Sequence, residues 1–120
     1  MSKAIIAGGR DYYATLEDEA WLDKMRIELA VDRVISGGAP GADKFGERWA
    51  EERNIPIDRF PAEWTRYGKR AGLIRNEKMA CVADICILFP GGFGTADMKR
   101  RAIAHSLVIR EREAQGGGKR

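Results

Sequence analysis

The sequence predicts a single Rossmann-like α/β domain, three layers deep, with a mostly parallel sheet of four or five strands flanked by helices. Three observations predict it. Short apolar runs alternate with longer helical segments along the whole chain, an order that favours parallel strand pairing with crossover helices. Three of these runs end in glycine pairs, at Gly8-Gly9, Gly37-Gly38 and Gly91-Gly92. The length of 120 residues suits one domain, which at this size buries roughly two-thirds of its unfolded surface and needs neither disulfide nor metal to fold.

Lys3-Ala4-Ile5-Ile6-Ala7 reads as a buried first strand. Thr15–Ala30 reads as a helix, with Thr15 and Asp18 or Glu19 supplying capping chemistry. Its expected inward residues are Leu16, Ala20, Leu22 or Asp23, Ile27 and Ala30, reinforced by Trp21, Met25 and Leu29. Arg33–Ser36 is a second strand. Ala42–Arg53 is a second helix with Phe45, Trp49 and Ala50 inward. Ile55–Phe60 is a third strand, and Pro56 places it at a sheet edge or a strand start. Pro61–Gly68 reads as a loop, Arg70–Val82 as a third helix, Ala83–Phe89 as the most apolar strand and Thr95–Ala104 as a fourth helix. Ser106–Arg110 is a last strand or the end of that helix, with Val108 and Ile109 favouring strand. The domain is expected over residues 1–112, with a disordered tail at 113–120 rich in glycine and ending Lys119-Arg120.

Composition narrows the function classes. Apolar content of 44% and charged content of 32% are those of an ordinary globular domain. No run approaches the roughly 18–20 apolar residues of a membrane span, and the N-terminus lacks a signal-peptide pattern, so a cytoplasmic location and no membrane partner are expected. A net charge of +3 suits an anionic small molecule but does not demand nucleic acid. Cys81 and Cys86 form a C-x4-C with no matching second pair, so no metal site is expected and both are expected as buried free thiols. No cofactor is expected.

The chemistry-bearing residues lie in the loops Gly8-Gly9-Arg10-Asp11, Ser36-Gly37-Gly38-Ala39-Pro40-Gly41-Ala42-Asp43 and Pro90-Gly91-Gly92-Phe93-Gly94-Thr95. Glycine lets backbone approach a ligand closely, and amides at the next helix N-terminus face an anion. In a parallel sheet such loops gather beyond the carboxyl ends of the strands. The loops lack a Walker lysine and a G-x-G-x-x-G, which disfavours a P-loop ATPase and an ordinary dinucleotide dehydrogenase. Arg75 and Asn76 read as a positioned polar pair near a helix start. Asp11 and Asp43 either bind ribose hydroxyls or serve as caps. Tyr12, Trp64 and Tyr67 are candidates for stacking on a base; Trp21 and Trp49 are assigned to the core or a dimer interface. His105, the single histidine, has no visible nucleophile beside it.

The motifs R-N-x-x-M (Arg75 to Met79) and P-G-G-F-G-T (Pro90 to Thr95) resemble those of the SLOG superfamily, which includes the LOG phosphoribohydrolases and the DprA/Smf proteins. G-G-R-D (Gly8 to Asp11), S-G-G-A-P-G-A-D (Ser36 to Asp43), W-x-x-Y-G-x-x-A-G-x-I-R-N (Trp64 to Asn76) and P-G-G-x-G-T-A-D-M (Pro90 to Met98) are most similar to its YspA-related branch. The resemblance covers about residues 3–110 and implies a pocket for a nucleotide or a nucleotide-derived signal such as an ADP-ribose-type molecule. The LOG pattern continues R-K-x-x-M to P-G-G-x-G-T-x-x-E. Here Arg75 matches the catalytic arginine, Asn76 replaces the lysine, and Met98 stands where the glutamate would be. A thioether cannot stabilise an oxocarbenium ion or move a proton.

The reading is therefore a binding module that senses or sequesters such a ligand through its glycine loops and Arg75, working as a homodimer or higher homo-oligomer. The alternatives are a LOG-type nucleotide N-glycosidase, with Arg75, Asp43 and Asp97 as candidate catalytic residues, and a DprA-like single-strand binder.

Overall fold

Neighbouring residues of the first strand feed two different cores. In β1 (Ser2–Ala7), Ala4 and Ile6 point to one side of the sheet and Ile5 and Ala7 to the other, the period of two that a pleated strand imposes. The computed structural model describes residues 1–113, and in it β1 is the middle strand of five. The others are β2 (Val31–Ser36), β3 (Ile57–Arg59), β4 (Ile85–Leu88) and β5 (Val108–Glu111). They lie in the order β3-β2-β1-β4-β5 and pair parallel throughout. Ile5 is flanked by Ile35 on one side and Cys86 on the other. All four residues of β4 are buried, as expected of a parallel strand covered on both faces.

Helices α1 (Leu16–Leu29) and α2 (Ala42–Glu52) cover one face, contributing Leu22, Met25, Phe45 and Trp49. Phe89 sits at the centre of this core, with the rings of Tyr12, Trp21 and Phe45 5.2–5.6 Å away. Helices α4 (Ala71–Val82) and α5 (Phe93–Ala104) cover the other face through Met79, Ala80, Met98 and Ala102. After β1 the chain builds outward through β2 and β3, then returns to the opposite side of β1 to lay down β4 and β5. The direction of winding thus reverses between β1 and β4, and a crevice opens beyond their carboxyl ends. No helix among the described residues is long and apolar enough to cross a membrane.

The expected element order holds, with differences that have physical causes. Leu16 and Ile27 are 82% and 81% exposed, because α1 presents a narrow stripe of Asp18, Leu22 and Met25 to the sheet. Asp18 is buried there with its charge satisfied. It accepts bonds from the Thr15 amide (2.9 Å), the Tyr12 hydroxyl (2.9 Å) and Arg112 Nε (2.8 Å), completing a capping box with Thr15. The stretch expected as a loop at 61–68 contains a helical turn, α3 (Trp64–Tyr67), closed by amides of Arg66 and Tyr67 on the Glu63 carbonyl. A 3-10 turn, Gly68–Arg70, then leads straight into α4. Residues 108–111 pair with β4 as a strand, launched by Ser106 in the left-handed region (φ 61°). Pro56 precedes β3 at the sheet edge, as expected. Cys86 is buried in β4, but Cys81 is exposed on α4; the four-residue spacing crosses the end of the helix and does not fix a common face. Of the expected tail at 113–120, all but Glu113 lies outside the described residues.

Candidate functional site

The three glycine loops meet at the switch point and are bonded to one another. The Gly9 amide donates to the Pro90 carbonyl (2.9 Å), joining the loops after β1 and β4. The Ala42 amide donates to the Gly9 carbonyl (3.1 Å), joining the loops after β1 and β2. This closeness is what the glycines serve. Gly41 has φ 79° and its missing Cβ would collide with the carbonyls of Gly9 and Arg10. A Cβ on Gly91 would sit 2.6 Å from the Gly9 nitrogen and against Thr95 Oγ1. Gly92 and Gly94 differ, since a Cβ at either meets nothing within 4 Å.

Those two glycines border a cleft of about 370 Å³. Its floor comes from the end of β1 and the following loop (Ala7, Gly8, Gly9, Arg10), one wall from the start of α5 (Gly92, Phe93, Gly94, Thr95, Met98), and the other from α4 (Gly72, Leu73, Arg75, Asn76, Met79). Trp64 and Lys69 stand at its rim and Asp43 enters from α2. A second lobe of about 410 Å³ adjoins it, sharing Arg10, Ala39, Trp64 and Arg75 and adding Gly37, Gly38, Pro40, Lys44 and Arg59. Helix α5 begins at Gly92 without any side-chain cap. The first amides of a helix have no intrahelical acceptor, and the residues that carry those of α5, Phe93, Gly94 and Thr95, border the cleft.

Arg75 is the central cation. Its Nη1 donates to the Gly37 carbonyl (2.7 Å) and its Nε to Asn76 Oδ1 (3.2 Å). The guanidinium occupies the space a side chain at Gly37 would need, with Asp43 Oδ2 on the same spot. Burial lowers the Arg75 pKa, an effect that neighbouring Asp43 opposes. Asp43 is 6% exposed and accepts a bond from the Ala39 amide (3.2 Å). Burial pushes its carboxyl up to about 6, against the Ala39 bond and the Arg75 charge, with Glu47 adding to the rise. Glu47 is itself buried; it accepts from the Ser36 hydroxyl (2.6 Å) and Arg59 Nε (3.1 Å).

The structure thus brings Gly8, Gly9, Arg10, Asp43, Arg75, Asn76, Gly92, Gly94, Thr95 and Trp64 together around the first lobe, and Gly37 and Gly38 around the second. Other expected site residues stand elsewhere. Ser36 is buried on Glu47 and receives the Gly38 amide (3.0 Å), shaping the second loop from beneath. Gly41 lies under the first loop. Asp11 is exposed outside both lobes. Pro90 and Gly91 face a separate groove with Lys99 and Arg112. Tyr12 packs on Phe89, and its hydroxyl donates to Asp18. Tyr67 lines a separate groove with Phe60, Ile74 and Lys78, under Arg66, 5.0 Å above its ring. Asp97 is 1% exposed and is held by Asn76 Nδ2 (3.0 Å), Arg101 Nε (2.8 Å) and Arg100 Nη2 (2.8 Å). Burial raises its pKa, but the bonds from Arg101 and Asn76 outweigh that and hold the carboxyl below the ordinary range. Asp97 therefore clamps α5 to α4 beneath the cleft, while Met98 faces the cleft.

Sequence reasoning did not single out Lys69, Gly72, Leu73, Met79 and Phe93 as cleft residues. Gly72 carried a usable signal, lying three residues before Arg75 in the same helix, where a Cβ would lie 3.6 Å from the Trp64 ring.

Comparison with known proteins adds two findings. The family model described as YspA, cpYpsA-related SLOG family matches residues 2–67. The chain is also 40% identical over 111 residues to the Gene 61 protein of Mycobacterium phage D29, an alignment covering 85% of this chain and 89% of the phage protein. No solved structure matches the chain.

Proposed function

Because the chain belongs to the YspA-related SLOG family, we propose that its cleft binds a nucleotide-derived anion, sensing or sequestering it. The observation that carries this reading is the convergence of two anion-binding devices on one cleft. The uncapped start of α5 and the guanidinium of Arg75 both border the same space at the switch point. In this reading a phosphate rests on the amides of Phe93, Gly94 and Thr95. Arg75, already aimed by Gly37 and Asn76, supplies the charge. Leu73, Met79 and Met98 give the pocket an apolar side, and half-exposed Trp64 offers a ring face to a base. The volume of about 370 Å³ falls within the roughly 300–1,000 Å³ of small-molecule sites. The adjoining lobe, bordered by Arg10, Lys44 and Arg59, suits a ligand with a second anionic group, such as an ADP-ribose-type diphosphate.

A second reading, hydrolysis of an N-glycosidic bond, is favoured by one observation. Asp43 enters the cleft beside Arg75 with a carboxyl that titrates near 6, within reach of general acid–base work at neutral pH. One experiment separates the two. Purified protein is titrated calorimetrically with ADP-ribose and AMP, and the same mixtures are chromatographed for free adenine. Saturable binding without adenine supports the binding module; steady adenine release supports the hydrolase; neither binding nor release refutes both.

A further inference from the structure

We propose that Glu77, Cys81 and His105 form a binding site for a borderline-soft divalent cation of the zinc class. The site stands on a different observation from the nucleotide reading. His105 stands at the C-terminal end of α5, about 18 Å along a twelve-residue helix from the start that borders the cleft.

Glu77 and Cys81 are one turn apart on α4 and share a face. His105 follows the last residue of α5, and the two helices pack side by side, so its ring reaches the same patch. One donor atom from each of Glu77, Cys81 and His105 lies within 4.8 Å of the other two. Carboxylate, thiolate and imidazole are the three donor types that zinc accepts. With Zn–S near 2.3 Å and Zn–N and Zn–O near 2.0–2.2 Å in a tetrahedron, neighbouring donors are separated by about 3.3–3.6 Å. Cys81 Sγ is 3.7 Å from Glu77 Oε2, already at that spacing. His105 Nε2 is 2.7 Å from the same oxygen and must open by roughly half an ångström to admit an ion. Three protein donors on an exposed patch leave the fourth position to water, the pattern of an open zinc site.

The carboxylate is oriented for this role from behind. Arg101 Nη1 bonds the other oxygen, Glu77 Oε1 (3.2 Å), while Arg101 Nε is anchored on buried Asp97 (2.8 Å). Glu77 is therefore turned so that Oε2 alone faces Cys81 and His105, the kind of outer contact that fixes a metal ligand's direction. Cys86, the other cysteine, is buried in the sheet, and burial raises its pKa to about 12. The site uses one cysteine of the pair and recruits the histidine of a neighbouring helix.

The test uses untagged, metal-free full-length protein titrated with cobalt(II). One equivalent should bind, with the visible d–d absorption of a tetrahedral site and a near-ultraviolet thiolate-to-cobalt band, both removed by one equivalent of zinc(II). Cys81→Ser, at an exposed position, should abolish the thiolate band and weaken zinc binding at least tenfold. His105→Ala should weaken it similarly. Zinc should raise the unfolding temperature of the native chain but not of Cys81→Ser, and circular dichroism checks that the variants remain folded. Absence of the thiolate band, or a band and affinity unchanged in Cys81→Ser, would overturn the proposal and leave Glu77 and His105 as an ordinary ion pair tying α4 to α5. Neither result bears on ADP-ribose binding at the cleft.

Discussion

Replacing Gly94 with alanine should make the protein more stable and a poorer binder at once. Gly94 is the second residue of α5, and a Cβ built on it meets nothing within 4 Å. Alanine in a helix is favoured over glycine by roughly 0.5–1 kcal/mol. The gain should approach the lower figure in a first turn and raise the unfolding midpoint by roughly 2–5 °C. The same methyl stands on the cleft wall, where the proposed phosphate approaches the α5 amides. Pushing an extra methyl into a close contact costs about 1–3 kcal/mol, a loss of roughly five- to more than a hundredfold in affinity. Differential scanning calorimetry and isothermal titration with ADP-ribose read the two effects separately. Gly92→Val, at the other open glycine, should lose binding with little change in fold. If Gly94→Ala gains stability and binds ADP-ribose as well as the native chain does, the ligand does not approach the start of α5. If it loses stability, the space around Gly94 is not open.

Three other outcomes are expected. Arg75→Ala should weaken ADP-ribose binding by about 1.5–3 kcal/mol, the worth of a charged hydrogen bond, with no adenine released by either protein; release by the native chain that vanishes in the variant with affinity intact would favour hydrolysis. The Asp43 carboxyl titrates near 6 in the folded chain, above its value of about 3.9 in an unfolded chain. The folded state therefore holds the proton more tightly, and the contribution of Asp43 to stability should rise as pH falls from about 7 toward 4, by at most about 3 kcal/mol, read as the difference between the native chain and Asp43→Asn. Over the same fall ADP-ribose should bind more tightly as a negative charge leaves the cleft, and Asp43→Asn should flatten both profiles. Sedimentation equilibrium should give at least twice the 13.4 kDa of one chain; a monomer at micromolar concentration would contradict self-association.

Much of the fold is legible because its signals are local. β1, β2 and β4 carry short apolar runs, α2 and α5 start directly after glycines, and Pro56 marks an edge strand. Legibility fails where an outcome depends on what an element packs against. Leu16 and Ile27 look like core residues by type, yet α1 rests on the sheet along a stripe that includes a charged Asp18. That burial is possible because Arg112, far away in sequence, brings a cation to it. Nor could Tyr12 be separated from a ligand contact by sequence, since its neighbour Phe89 follows β4. At the cleft, the glycine loops and Arg75 were readable as types in a pattern. That Asp97 would be held by Asn76 of α4 was not, nor was the meeting of Glu77, Cys81 and His105, which needs two helices docked in register.

The bonded loops divide the site's glycines by what variation each can survive. Gly41 and Gly91 hold the junction of three loops against one another, so a substitution there registers as misfolding before any ligand is met. Gly92 and Gly94 touch only open space, and half-exposed Trp64 shares that border. A lineage, or a laboratory library, that diversifies positions 64, 92 and 94 can exchange one guest for another while the frame stays constant. One that diversifies 41 and 91 samples folding competence instead. In the proposed binding role, specificity would be adjustable separately from folding, through positions that stand clear of the junction of the three loops.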